Sequence, residues 1–394
     1  MIDRDALRAG LDAAGADGWL LFDFHGLNPV AGRVLGLTGM GTRRLFALFP
    51  RDGEPVAVAH RIELHRFAGF EGTVLPYARW EELREALAPL VAGRTLAMEV
   101  SPEDAVPYLD RVPHGVVELL TALGARIVPS GSLVTTFSAR WTAAETEGHL
   151  VAAEALATIA REALGRAVRE GGKGLTETAL QAEVIAAIHA RGLVFDHPPI
   201  VAFGANAANP HYEPGREGDP PLEPQQVILL DLWAGPALGT VFADQTWMGF
   251  SGEHPPERVL RVWEVVRSAR EAACRMIRDR VAAGREVRGF EGDRAARAVI
   301  EAAGFGANFV HRTGHSIDRD LHGSGPHLDD YETHDDRLLV PGVGFSVEPG
   351  IYLPGEFGVR SEVNMYWGAA GPTVTPAEPQ AELITPLSKA SGPH

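Results

Sequence analysis

The sequence predicts an α/β (α+β) protein of two domains, and three observations carry that prediction. Its 394 residues, 45% of them hydrophobic, supply cores for two domains of ordinary size rather than one. Helical and strand-like apolar periodicities alternate as far as Val128, the pattern of an α/β unit. A run of turn-forming and small residues from Pro129 to Trp141 then interrupts the alternation, which places domains over 1–135 and 141–394.

Taken in order, apolar spacing is helical from Arg4 to Ala16 and gives way to a buried-strand pattern over Gly18 to Phe22. Two apolar runs, Arg43 to Pro50 and Pro55 to Val58, flank Asp52-Gly53, a dipeptide that tolerates the positive φ of a hairpin turn. A helix over Trp80 to Val91, a strand over Arg94 to Glu99, a helix over Ala105 to Leu123 and a strand over Arg126 to Val128 complete this unit. Its isolated polar residues, His25, Asn28, His60 and His65, are read as structural or surface groups. In the second domain Thr142 caps a helix from Ala143 to about Arg169, with Glu145 closing a capping box. A second helix runs from Thr176 to Arg191. Between them, Glu170 to Gly174 has a lysine among glycines but neither the upstream glycine nor the following Ser/Thr of a phosphate loop, so it is a helix-to-helix turn.

Composition excludes several function classes. Thirty-six Lys plus Arg stand against 52 Asp plus Glu, a net charge of −16, which argues against nucleic-acid and anionic-membrane partners. The lone Cys274 forms no intrachain disulfide, the N-terminus has no basic-then-apolar signal pattern, and no apolar run is long enough to span a membrane. These features together lead us to expect a cytoplasmic protein.

Chemistry concentrates in the second domain. Asp231 ends the apolar strand Val227 to Leu230, and Asp244 follows the turn-like Gly235 to Gly239, so both acids fall on adjacent antiparallel strands facing one way. Glu348 and Glu362 repeat the device around Ile351 to Gly358, and His315 follows Gly314. Four carboxylates and one imidazole converging in an interior repel unless cations neutralise them. An oxygen-dominated set with one imidazole suits two divalent ions, Mn²⁺ first, with Co²⁺, Fe²⁺ or Zn²⁺ as alternatives. The predicted ligands are therefore Asp231, Asp244, His315, Glu348 and Glu362. Glu348 is also the expected proton shuttle, and His211, from the Pro/Asn-rich loop between Asp196 and Gln226, and His322 are expected to stabilise an oxyanion or hold substrate.

These residues carry a family resemblance. The segment from about Trp141 to Leu387 resembles the creatinase/aminopeptidase P/methionine aminopeptidase superfamily through Leu230-Asp231, Ala243-Asp244-Gln245-Thr246, Gly314-His315-Ser316-Ile317 with His322, Val347 to Tyr352, and Gly358 to Glu362, in that order. The resemblance implies a pseudo-two-fold "pita-bread" catalytic domain behind a creatinase-like N-terminal α/β domain. It further implies a substrate-facing His211, and Asp231, Asp244 and Glu362 chelating or bridging metals. Arg360 is expected to pair with a ligand or substrate carboxylate. By the same resemblance the activity is a prolidase (Xaa-Pro dipeptidase), the alternative an aminopeptidase P acting on longer peptides. The substrate would be a small peptide with proline second, and the enzyme a homodimer. Creatinase-like and scaffold members lose ligands that are intact here. The sequence departs from the family pattern at Leu232-Trp233 after Asp231, at Trp247, at Val363 and in a longer Asp231–Asp244 loop, all expected to lie beside the metals.

Overall fold

A computed structural model describes residues 2–216 and 218–388. The chain divides into two compact units, Met1–Arg140 and Trp141–His394.

In the first unit the elements are α1 (Arg4–Ala14), β1 (Gly18–Asp23), α2 (Pro29–Leu35), β2 (Leu45–Pro50), β3 (Val56–His60), β4 (Thr73–Tyr77), α3 (Trp80–Val91), β5 (Thr95–Met98), α4 (His114–Ala122), β6 (Arg126–Pro129) and α5 (Gly131–Val134). They build one six-stranded mixed sheet in the order β4-β3-β2-β1-β5-β6. Every residue of β1 is buried, because alternate side chains feed two cores. Trp19 and Leu21 meet Leu7 and Leu11 of α1 on one face, while Leu20 and Phe22 meet Leu83 and Leu87 of α3 on the other. The Asp52-Gly53 hairpin forms as expected, with Leu48 opposite Val56 and Gly53 at φ 104°. Among the polar residues, Asn28 caps α2 and donates to Phe22 O and Glu99 Oε2, and His60 accepts from Ile62 N. The expected helix over Ala105 to Leu123 is corrected: only His114–Ala122 is α-helical. Pro107 opens a separate 3₁₀ turn and Pro113 caps α4, since a proline lacks the N–H that would carry a helix through.

The second unit repeats one arrangement. The helices α6 (Ala143–Ala167) and α7 (Glu177–Ala190) cover the sheet β7-β8-β9, with β7 over Ile200–Phe203, β8 over Val227–Ala234 and β9 over Ala243–Phe250. Leu156, Ala160, Leu164 and Leu180 pack there on Ile228, Leu230 and Trp247. Then α8 (Glu257–Ala282) and α9 (Gly289–Ala302) pack on a second antiparallel sheet, β10-β11-β14-β15. Its strands are β10 (Ser316–Ile317), β11 (Gly344–Val347), β14 (Val363–Gly368) and β15 (Gly371–Thr375); β12 (Gly350–Leu353) and β13 (Phe357–Arg360) pair separately. Val262, Val266, Ala273 and Ile277 of α8 meet Phe345, Val347 and Met365 in this core, which also takes Leu229 and Met248 from the back of the first sheet. Each such leucine or isoleucine holds the scaffold by about 2–5 kcal/mol against truncation to alanine.

His149 pins the two halves together: its buried ring lies 3.1 Å from Phe242 O and 2.8 Å from Thr375 Oγ1. Burial lowers its pKa to about 4, so it serves as a neutral strut. Among the described residues no helix is long and apolar enough to cross a membrane.

Candidate active site

The first two acids are placed by strand register. Asp231 pairs with Thr246 and Trp233 with Asp244; side chains alternate across a strand, so Asp231, Thr246 and Asp244 share the face turned away from α6. The second pair departs from the expected single hairpin. Val347 pairs with Val363 in one sheet and Gly350 with Arg360 in another, so Glu348 and Glu362 sit at the break between them. That break aims both glutamates out of the sheet plane. His315 is held by Ser346, whose Oγ accepts from its backbone N at 2.9 Å. Gly314 is required beside it, because a Cβ there would lie 2.0 Å from Ser346 O.

All eight residues singled out from the sequence, His211, Asp231, Asp244, His315, His322, Glu348, Arg360 and Glu362, line one cavity of about 1110 Å³. Asp244, His315 and Glu362 form its tightest cluster, their ligating atoms mutually within 4.8 Å. Glu348 Oε1 lies 3.4 Å from His315 Nε2, as does Asp244 Oδ2. Asp231 joins through Thr246, whose hydroxyl is 3.0 Å from Asp231 Oδ1 and 2.8 Å from Glu362 Oε2. Arg360 braces the group, its Nη2 donating to Asp231 Oδ2 at 2.6 Å and its Nε to Thr246 Oγ1 at 2.9 Å. His322 stands edge-on to His315 with ring centroids 4.3 Å apart, and His211 is exposed on its loop.

Electrostatics give these acids different states. Burial first, and Asp244 and Glu348 against the relief from Arg360, raise Asp231 to about 6. Burial and then Glu348 push Asp244 up to about 8, and burial with Asp244, Glu348 and Asp231 lifts Glu362 well above the carboxylate range. Glu348 goes the other way: burial opposes its charge, but His315, His311 and Arg360 outweigh it and hold the group low. It is therefore the one acid of the four whose pKa is not raised.

The residues present fit divalent metal ions. His315 Nδ1 lies 3.1 Å from Ser316 O, and a ring nitrogen facing a carbonyl must donate. Burial lowers the pKa of His315, so the ring is neutral and Nε2 presents a lone pair to two carboxylate oxygens. Only a proton or a cation makes that approach favourable. Glu362 Oε1 is also buried with no N–H or hydroxyl donor among the described residues, a state native structures rarely leave unfilled. One guanidinium cannot neutralise four carboxylates, and Arg360 already spends its charge on Asp231.

Several residues that shape the site were not singled out from sequence. Thr246 bridges Asp231 and Glu362; Asn364 Oδ1 accepts from Asp244 N at 2.9 Å; Tyr352 OH meets Arg360 Nη1 at 3.2 Å and His311 Nε2 at 2.9 Å. Thr246 and Asn364 follow two residues after Asp244 and Glu362, the strand period, which is the signal that marks them. The departures are corrected in turn. Trp247 points to the helix-covered face, donating to Gln245 Oε1 with Arg161 4.9 Å from its ring, and Val363 is core. Neither lines the cavity. The longer loop does, through Leu238, Gly239 and Phe242.

Comparison with known proteins agrees with this geometry. The model of metallopeptidase family M24 matches residues 149–367. The chain is 28% identical over 335 residues to a probable dipeptidase PepE of Mycobacterium tuberculosis, covering 84% of this chain and 82% of that one. A Xaa-Pro dipeptidase of Lactobacillus delbrueckii subsp. lactis is 34% identical over 166 residues, 41% of this chain and 40% of that one. The crystal structure of a dipeptidase from Pyrococcus horikoshii OT3 superposes with a TM-score of 0.68 at 25% identity, covering 97% of this chain and 99% of that one. With the family model spanning more than half its length and every acid of the predicted set lining one cavity, the chain belongs to metallopeptidase family M24, the pita-bread fold behind an N-terminal α/β domain.

Proposed function

We propose that this metallopeptidase hydrolyses the bond before proline in Xaa-Pro dipeptides, as a prolidase. The observation that carries the reading is the set Asp231, Asp244, His315, Glu348 and Glu362 lining one cavity, the donor chemistry of a two-ion hydrolytic site. Two divalent ions held by these five, Mn²⁺ first by ligand hardness and Co²⁺, Fe²⁺ or Zn²⁺ as alternatives, would supply charge neutralisation, polarisation of the scissile carbonyl and a water of lowered pKa.

The chain's own residues do the rest. Glu348, held ionised and in hydrogen-bond contact with Ser346 Oγ at 3.0 Å, takes the proton from the attacking water and passes it to the leaving proline nitrogen. His211 and His322 border the same cavity and donate to the developing oxyanion or to the substrate. Arg360 keeps Asp231 ionised and fixed. The names of the M. tuberculosis and L. delbrueckii relatives support a dipeptidase. A homodimer in the cytoplasm is the setting the family resemblance and composition favour.

The experiment is release of the N-terminal alanine from Ala-Pro (with proline) beside Ala-Pro-Ala (with Pro-Ala), with the chelator-treated and Mn²⁺-supplied protein. Metal-dependent cleavage with the dipeptide preferred is expected. Preference for the tripeptide would instead make it a Xaa-Pro aminopeptidase, and cleavage of neither would overturn the reading.

A further inference from the structure

A dipeptide differs from a longer peptide in one charge, the carboxylate that stands next to the leaving proline. An enzyme that favours dipeptides must meet that charge with a cation near the catalytic centre, and the cavity offers few. Of the guanidinium groups lining it, Arg360 is committed: it bonds to Asp231, Thr246, Tyr352 and Pro210 O. The other is Arg319.

Arg319 is placed and provisioned for the task. It lies on the loop that leaves β10 after His315 and returns at His322, closed at its foot by Gly323 N donating to Ser316 O at 2.7 Å. Asp318 stiffens this loop by accepting from Asp320 N, Ser324 N and Ser324 Oγ. Arg319 therefore sits between two histidines whose rings touch at the catalytic cluster. A dipeptide reaches no more than about 7 Å end to end, so its carboxylate stays close to that cluster. The side chain is 47% exposed, and its Nε donates at 2.9 Å to Glu145 Oε1, a carboxylate only 10% exposed. Glu145 is itself fixed as the box residue at the start of α6, accepting from Thr142 N. Nothing among the described residues bonds to either Nη of Arg319, which leaves the face of the fork that binds a carboxylate bidentately.

We infer that Arg319, held by Glu145, is the residue that caps the C-terminal carboxylate of the substrate and so restricts this enzyme to dipeptides. This rests on the Xaa-Pro reading above. The arginine binds substrate and takes no proton in the reaction, so its loss acts on KM far more than on kcat.

The test compares Ala-Pro with Ala-Pro amide, which lacks the carboxylate, in the Mn²⁺-loaded wild type and in Arg319→Gln, Arg319→Lys and Glu145→Gln. For Arg319→Gln we expect KM for Ala-Pro to rise by about 10- to 100-fold, the value of a charge-assisted hydrogen-bond pair, with kcat and the amide kinetics changed less than about threefold. Arg319→Lys should recover part of the loss, and Glu145→Gln should show a smaller rise of the same kind. Equal losses on Ala-Pro and its amide, or no rise in KM, would overturn the assignment while leaving the peptidase reading intact. Absence of Xaa-Pro cleavage by the wild type would remove both.

Discussion

Replacing Asp244 by asparagine should stabilise the metal-free protein while destroying its use of metal. Burial and Glu348 raise Asp244 from its ordinary 3.8 to about 8. A carboxyl with a higher pKa folded than unfolded keeps a proton in the native state that the unfolded chain releases. Its stabilising contribution is therefore complete below about pH 4 and drains away as pH rises towards 8. At about 1.36 kcal/mol per pH unit, the span from 3.8 to about 8 amounts to about 5–6 kcal/mol at pH 8 as an upper bound. Asp231 and Glu362 compete for the same protons, which brings the expected relief to about 1–4 kcal/mol. Asparagine keeps the volume and removes the charge, so in EDTA at pH 8 the catalytic unit of Asp244→Asn should melt roughly 2–12 °C above wild type. At pH 4, close to the ordinary 3.8, the unfolded chain is itself partly protonated at this position, so the difference should shrink to under about 1 kcal/mol. Adding Mn²⁺ should raise the wild type and leave the variant almost unmoved. A variant that melts at or below wild type in EDTA at pH 8 would refute the claim that these acids are held together against their own repulsion.

Two further perturbations probe the supports. Thr246 has a single hydroxyl proton for two carboxylates, which holds in the metal-free state because Glu362, with its raised pKa, can supply the second. Thr246→Val should weaken Mn²⁺ binding by about 10- to 100-fold in a chelator-competition titration; unchanged affinity would show that the bridge is incidental. His149, lowered from 6.5 to about 4 by burial, holds fewer protons folded than unfolded, so it contributes stability above pH 6.5 that is lost as pH falls through 4. Urea unfolding of His149→Gln should lose about 1–3 kcal/mol less than wild type between pH 7 and pH 4, and parallel curves for the two proteins would contradict the neutral-strut assignment.

Much of this site was legible before any coordinates. Acids at strand ends, each near glycine or proline, identify themselves because the backbone that presents them has a strong local signature: Asp231 after an apolar run, His315 after the glycine that Ser346 O makes obligatory. What sequence hides is the third dimension of the pairing. Glu348 and Glu362 look like one hairpin, yet the register passes from the β11–β14 sheet to the separate β12–β13 pair at their positions. Helix α8 carries a readable stripe at Val259, Val262, Val266, Ala269, Ala273 and Ile277, a period of three and four that the carboxylate motifs overshadow. Trp247 shows the opposite error, since closeness in sequence to Asp244 suggested a place at the cavity whereas strand alternation turns it to α6. Thr246 is harder still. A neutral hydroxyl acquires meaning only when Asp231 and Glu362, distant in the sequence, are seen to share it.

The most direct measurement is proline release from Ala-Pro by chelator-stripped protein as Mn²⁺ is added in known equivalents. Activity that starts from zero and stops rising at two ions per chain is the predicted result. Undiminished activity in the stripped protein, or none at any metal ratio, would contradict the account.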